Sequence, residues 1–242
     1  MRSTYSSQDF LCSPPNQSFL YHNNGDGTFT SIDVGSPIRD GDNRQGTPWA
    51  DYDNDGFLDL LITSYGDGTT AKQLLYHNNG NGNAWLKVRL VGLASNRSAI
   101  GAKVRVQATI RGHTVWQTRE INGNSGFSGG AGGLLAHFGL GDAPNVTTLR
   151  IEWPSGMVQE FHDLAVKQTL TLTEPARLSM PNAGELHIQC WKGMAYRIEA
   201  SLDLSAWTPL ATVTNLNLTG GIRWTDPGLP GPSARFYRAV KQ

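Results

Sequence analysis

A short pattern occurs twice in this chain. Leu20-Tyr21-His22-Asn23-Asn24-Gly25-Asp26-Gly27 returns 55 residues later as Leu75-Tyr76-His77-Asn78-Asn79-Gly80-Asn81-Gly82. Self-similarity at such a period marks a propeller or a solenoid. Each copy reads as a short strand running into a turn whose Asn and Gly residues accept positive φ. The first copy continues into Thr28-Phe29-Thr30, a returning strand.

Between the copies lies Asp51-Tyr52-Asp53-Asn54-Asp55-Gly56-Phe57-Leu58-Asp59. Hard cations such as Ca²⁺ take six to eight oxygen ligands. Asp51, Asp53, Asp55 and Asp59 offer side-chain oxygens, and the Phe57 backbone carbonyl offers one more. Gly56 permits a backbone conformation that a side chain would oppose. Without a cation, four carboxylates in this run would repel one another. The alternative is a solvated Asp/Asn/Gly turn. The apolar run Phe57-Leu58-Asp59-Leu60-Leu61-Ile62 argues against it, because it reads as a buried strand with Asp59 inside. An EF-hand would need its last carboxylate at position twelve of the loop, which is Ile62 here.

A ligand set that ends at Asp59 and runs straight into a strand resembles the FG-GAP/VCBS repeat of integrin-like β-propellers. The resemblance implies the end of one blade at residues 18–34 and a nearly complete second blade at 47–83. It also implies a Ca²⁺ ion held by Asp51, Asp53, Asp55, Phe57 and Asp59. A propeller closes with roughly four to eight blades. The expectation is therefore the C-terminal part of a longer protein, with a signal peptide lost from its start by truncation; the alternative is blades that pack on another chain. Asp26 and Asp67 lie in turns that usually need no metal; the sequence leaves open whether they help hold a second ion.

The 242 residues carry 20 Lys+Arg and 20 Asp+Glu, for a formal net charge of zero. That balance predicts no general attraction to nucleic acid or to an anionic membrane. No run of about 20 apolar residues predicts membrane insertion. Twenty-eight glycines and twelve prolines, set among short β-branched and aromatic runs, favour an all-β chain. Val158–Thr169 is the best helical candidate. Cys12 and Cys190 are expected to be lone thiols.

The pattern changes at Trp85. Trp85–Val91, Ile100–Val106 and Thr114–Ile121 alternate apolar and polar residues, as half-exposed strands do. Their Lys and Arg residues are expected on one solvated basic face; a groove for acidic glycans or phosphates is the alternative. Seven ordered pieces resemble the ASPIC/UnbV domain: Trp85-Leu86-Lys87-Val88, Asn96–Ala102, Arg119–Gly123, Ser125-Gly126-Phe127, His137–Gly141, Ile151–Gly156 and Gln168–Glu174. That family follows FG-GAP/VCBS repeats in secreted bacterial proteins and in a cartilage matrix protein. Ser128–Gly133 is Gly-rich and predicts a flexible loop. His137, Glu120, Asp142 and Ser125 are the candidates for a hydrolase. No Gly-x-Ser-x-Gly elbow or His-Glu-x-x-His helix supports one, so His137 is expected to be structural. Trp153 is expected in the core, with sugar stacking as the alternative.

Beyond Pro175 and Pro181, the pieces Tyr196–Trp207 and Arg235-Phe236-Tyr237-Arg238 resemble a fibronectin-III-like module, with Trp207 and Trp224 as core anchors. The expected organisation is all-β: partial propeller blades at 1–84, an ASPIC/UnbV domain at 85–176 and a small β module at 177–242. The resemblances imply a non-catalytic, calcium-binding adhesion or binding protein outside the cell or on its surface, with a protein or glycan partner. The alternative is the accessory region of a secreted polysaccharide-acting enzyme whose catalytic domain lies outside this chain.

Overall fold

The computed structural model describes residues 10–12, 19–24, 27–33, 35, 44–64, 73–123, 133–217, 221–228 and 235–242. Asp26, Asp67, Ser125 and most of the Gly-rich 128–133 segment lie outside them, as does the Cys12 side chain. Every regular element among the described residues is a strand. The expected all-β class holds, and the helical candidate Val158–Thr169 is two strands instead. Its residues alternate between exposed and half-buried through β14 and through Val158–His162 of β13, a period of two that a helix does not have.

The chain forms two compact units. One comprises residues 1–90 and 98–172, the other 91–97 and 173–242. In the first, β1 (Phe10–Cys12), β2 (Phe19–Asn23) and β3 (Phe29–Ile32) make an antiparallel sheet in the order β1-β2-β3. The hairpin expected from the first repeat copy is β2–β3, with Leu20 opposite Ile32. A second small sheet holds β4 (Arg44–Gly46), β5 (Trp49–Ala50), β6 (Asp59–Ser64) and β7 (Leu74–Tyr76), with β4, β5 and β7 each pairing with β6. Leu60 and Ile62 of β6 are buried. These two sheets are consistent with partial propeller blades.

The same unit holds a sandwich of seven strands. One sheet is β11 (Leu135–Gly141), β8 (Ala84–Val91) and β14 (Gln168–Thr173), in that order. The other is β10 (His113–Glu120), β9 (Lys103–Ile110), β12 (Asn145–Glu152) and β13 (Val158–Ala165). Alternation sends Leu86, Val88 and Leu90 of β8 inward, against Val104, Val106 and Ala108 of β9. Phe138, Leu140, Leu149 and Ile151 complete the core, and Trp153 joins it, as expected. Burial of such side chains contributes about 1.5–3 kcal/mol each.

In the second unit, β15 (Arg177–Asn182), β16 (Glu185–Gln189) and β19 (Ile222–Thr225) form one sheet. Strands β17 (Ala195–Ser201), β18 (Thr208–Thr214) and β20 (Phe236–Lys241) form another, in the order β18-β17-β20. Leu186, Ile188, Cys190, Tyr196, Ile198 and Ile222 fill the core. Cys190 is a buried free thiol. Trp224 packs against this core. Trp207 instead lies under the Arg238 guanidinium, 4.4 Å from ring centre to Cζ.

Candidate metal centre in the acidic loop

Residues 51–58 join β5 to β6, which pair with Ala50 opposite Asp59. The loop therefore begins and ends at one point, and Asp51 and Asp59 come together. Two residues with positive φ bend the chain between them: Asn54 at 65° and Gly56 at 97°. Asn tolerates that region and Gly prefers it. A Cβ on Gly56 would lie inside the Trp85 indole ring. Glycine is thus required there by close approach as well as by torsion.

The carboxylates hold the loop in shape. Gly56 N–H donates to Asp51 Oδ2 at 2.9 Å, Asp55 N–H to Asp53 Oδ1 at 3.2 Å, and Phe57 N–H to Asp55 Oδ1 at 2.8 Å. Asp59 accepts from Tyr52 N–H at 3.1 Å and, through its other oxygen, from Asn78 N–H at 2.8 Å. Asn78 belongs to the second repeat copy, and its side-chain amide returns a bond to the Leu58 carbonyl at 3.1 Å. The turn after β7 thus closes the acidic loop, which ties the second repeat copy to it.

Asp51, Asp53 and Asp59 each bring one carboxylate oxygen to a common point, all within 4.8 Å of one another. Asp55 does not join that trio; it groups with Asp53 and His77. Phe57 enters the loop through its N–H and packs its ring where a Cβ on Gly80 would sit. His77 Nε2 lies 2.8 Å from Asp53 Oδ2. That contact holds the imidazole above its usual pKa. Desolvation alone would raise the Asp53 carboxyl, but the Asp55 N–H and His77 hold it below its usual range.

The loop is also gripped by β8 and β11 of the sandwich. Their outward faces carry Trp85, Lys87 and His137, and Lys87 stands directly opposite His137 in the strand register. Lys87 Nζ donates to Asp51 Oδ2 at 2.6 Å and to Asn54 Oδ1 at 3.3 Å. The two side chains of this ion pair are 2% and 3% exposed. The expectation of a solvated basic face fails at this residue. Alternation did turn Lys87 away from the core, but the acidic loop covers that side. Arg89, two residues on, is exposed as expected. The alternating pattern carries no sign of what lies on the far side of a sheet; four aspartates with no nearby cation were the available signal.

His137 Nε2 meets the Gly56 carbonyl at 2.9 Å. A carbonyl can only accept, so Nε2 carries the hydrogen. Burial pushes the imidazole below its usual pKa, which keeps it neutral. Its role is structural, as expected. Of the other hydrolase candidates, Ser125 lies outside the described residues, and neither Asp142 nor Glu120 bonds to His137. Asp142 accepts the Arg111 N–H at 2.7 Å, and Glu120 is exposed at the end of β10.

Two buried atoms of the site have no hydrogen-bond partner: Asp51 Oδ1 and His137 Nδ1. A buried carboxylate oxygen without a donor is costly. Oxygen-only donors, two of them buried, suit a hard divalent cation.

The architecture defines an all-β chain with blade-like sheets, a seven-stranded sandwich and a second β unit. Residues 7–62 match the family model described as FG-GAP-like repeat, and residues 92–179 match the one described as ASPIC and UnbV. Both are generally non-catalytic domains. No curated protein matches the chain.

Proposed function

We propose that this chain is a non-catalytic binding or adhesion module that works outside the cell or on its surface, with one structural Ca²⁺ in the acidic loop. The carrying observation is the buried, partnerless Asp51 Oδ1 beside the oxygens of Asp53 and Asp59. Asp51, Asp53 and Asp59 are the inner ligands; Asp55 and the Phe57 carbonyl complete the set, with water. The ion supplies charge neutralisation and a fixed loop geometry. The chain's own residues do the rest: Gly56 and Asn54 bend the loop, and Lys87 holds the far oxygen of Asp51. Millimolar extracellular calcium would saturate even a weak site of this kind. We further read residues 177–242 as a fibronectin-III-like module. The orders β15-β16-β19 and β18-β17-β20, two facing three-stranded antiparallel sheets, support that reading.

Calorimetric titration of Ca²⁺ into chelator-treated protein tests the site, with thermal melts alongside. One equivalent bound and a raised melting temperature are expected, since a ligand specific to the folded state stabilises it by mass action. Asp53→Ala should remove both. No heat and no shift in the wild type, or an unchanged response in Asp53→Ala, would overturn the assignment.

A further inference from the structure

The outer face of the β10-β9-β12-β13 sheet carries a large aromatic ring that the core does not use. Trp116 is 50% exposed in the middle of β10. Its cross-strand partner is Gln107, which faces Thr148, which faces His162. These four residues form one row across four strands, about 14 Å long at ordinary strand spacing. Val104, Val106 and Ala108 point the other way, into the core, so alternation places the whole row on the outside.

The next row is Thr118, Arg105, Arg150 and Glu160, again in register. Two arginines stand side by side there, and carboxylates fix both. Arg105 Nε donates to Glu152 Oε1 at 3.1 Å and Arg150 Nε to the same oxygen at 3.2 Å; an Arg150 terminal nitrogen reaches Glu160 at 2.6 Å. Beside them, Lys103 lies between Glu120 and Glu152. The face thus has three cations and three carboxylates and presents no net field to an anion.

We infer that this face binds an uncharged oligosaccharide, with Trp116 as the stacking platform. This deepens the binding role proposed above and rests on it. The apolar C–H face of a pyranose ring would lie on the indole, and its hydroxyls would meet the row of amide, hydroxyl and guanidinium groups. Three observations favour this occupant. The immediate neighbours of Trp116 on its face are Thr114, Thr118 and Gln107, all polar. A protein partner would call for a cluster of apolar or aromatic anchors rather than one. The balanced charge, on this face and in the whole chain, gives no basis for recognising nucleic acid or an acidic polymer. The arginines are already oriented by their glutamates, so little side-chain freedom is lost on binding.

The test uses the full chain and a panel of neutral oligosaccharides (gluco-, xylo-, manno- and galacto-configured), with polygalacturonate and single-stranded DNA as charged probes. Calorimetry and quenching of tryptophan fluorescence are the readouts, in calcium and in chelator. At least one neutral oligosaccharide is expected to bind. Trp116→Ala should weaken it about tenfold or more, Trp116→Phe less, and Gln107→Ala detectably. Gln107→Ala also keeps the test open if Trp116→Ala fails to fold. Binding that survives in both Trp116→Ala and Gln107→Ala, binding of charged probes alone, or no binding by any neutral member would overturn the inference. Calcium heat without sugar heat would sink this inference and leave the calcium site standing. Sugar binding without calcium heat would do the reverse.

Discussion

At the scale of single residues, Lys87 decides most. Its ammonium is the sole cation bonded to Asp51 among the described residues, and both groups are buried. Removing one partner of such a pair leaves the other charge uncompensated, at a cost of about 3–5 kcal/mol. Lys87→Met should show that loss in chemical denaturation without calcium. Asp51→Asn should recover much of it in the double variant, because the remaining charge is then gone too. An additive double variant would mean the pair is not coupled. His137 gives a pH signature. Burial lowers its pKa in the folded state below the usual 6.5, so the unfolded chain takes up the proton first. Stability should therefore fall as pH drops below 6.5 and continue falling until the folded-state pKa is passed. His137→Gln keeps a donor for the Gly56 carbonyl and should flatten that part of the curve; an unchanged profile would remove His137 from the account. The aspartates of the loop were legible as a cluster from spacing alone. Their grip by Lys87 and His137 was not, because it depends on two strands meeting loop residues 33 to 81 positions away.

At the scale of elements, the strands were legible and their partners only partly so. Period-two alternation marked β8 and β10 closely, and the Asn-Gly turns marked the β2–β3 hairpin. Strand β9 begins at Lys103, three residues after the expected start, because Ile100 and Gly101 belong to a tight turn: Gly101 has φ 95° and its N–H donates to the Ile121 carbonyl. Alternation cannot see such a turn when apolar residues continue through it. Glu174 was missed altogether. It closes the last matched piece of the ASPIC/UnbV resemblance, yet it is fully buried and its carboxylate anchors residues 93–95. Oε2 accepts the N–H groups of Leu93, Ala94 and Ser95 at 2.7, 2.9 and 2.7 Å, and Oε1 accepts the Ser95 hydroxyl at 2.9 Å. Three successive amides aimed at one oxygen make a nest for a negative charge. Trp191 ties the same loop down through a bond from its indole N–H to the Gly92 carbonyl. Glu174→Ala should cost about 3 kcal/mol or more, since each orphaned buried donor costs roughly 1–3. Hydrogen exchange should quicken first at amides 93–95. Unchanged exchange there would refute the anchoring role.

At the scale of the whole molecule, the acidic loop joins blade and sandwich within the first unit. The Trp85 ring covers Gly56, Lys87 bonds Asp51, and His137 bonds the Gly56 carbonyl. An ion in the loop should therefore be felt by the sandwich strands that grip it. Chelation should lower hydrogen-exchange protection in residues 51–62 and also in β8 and β11, with β12 and β13 changing less. A change confined to the loop would mean the grip carries no coupling. The family matches and the all-β class follow from patterns along the chain; this junction does not, because no motif spans it. It also bears on inheritance. A shift of β8 by one residue against β11 would turn Lys87 into the hydrophobic core and expel Leu86. Recombination that paired this sandwich with a blade lacking the acidic loop would strand a lysine under a lid with no anion. Gene shuffling should therefore transmit the last blade and the sandwich as one heritable block, with exchange tolerated upstream of the loop rather than at the apparent boundary near Trp85.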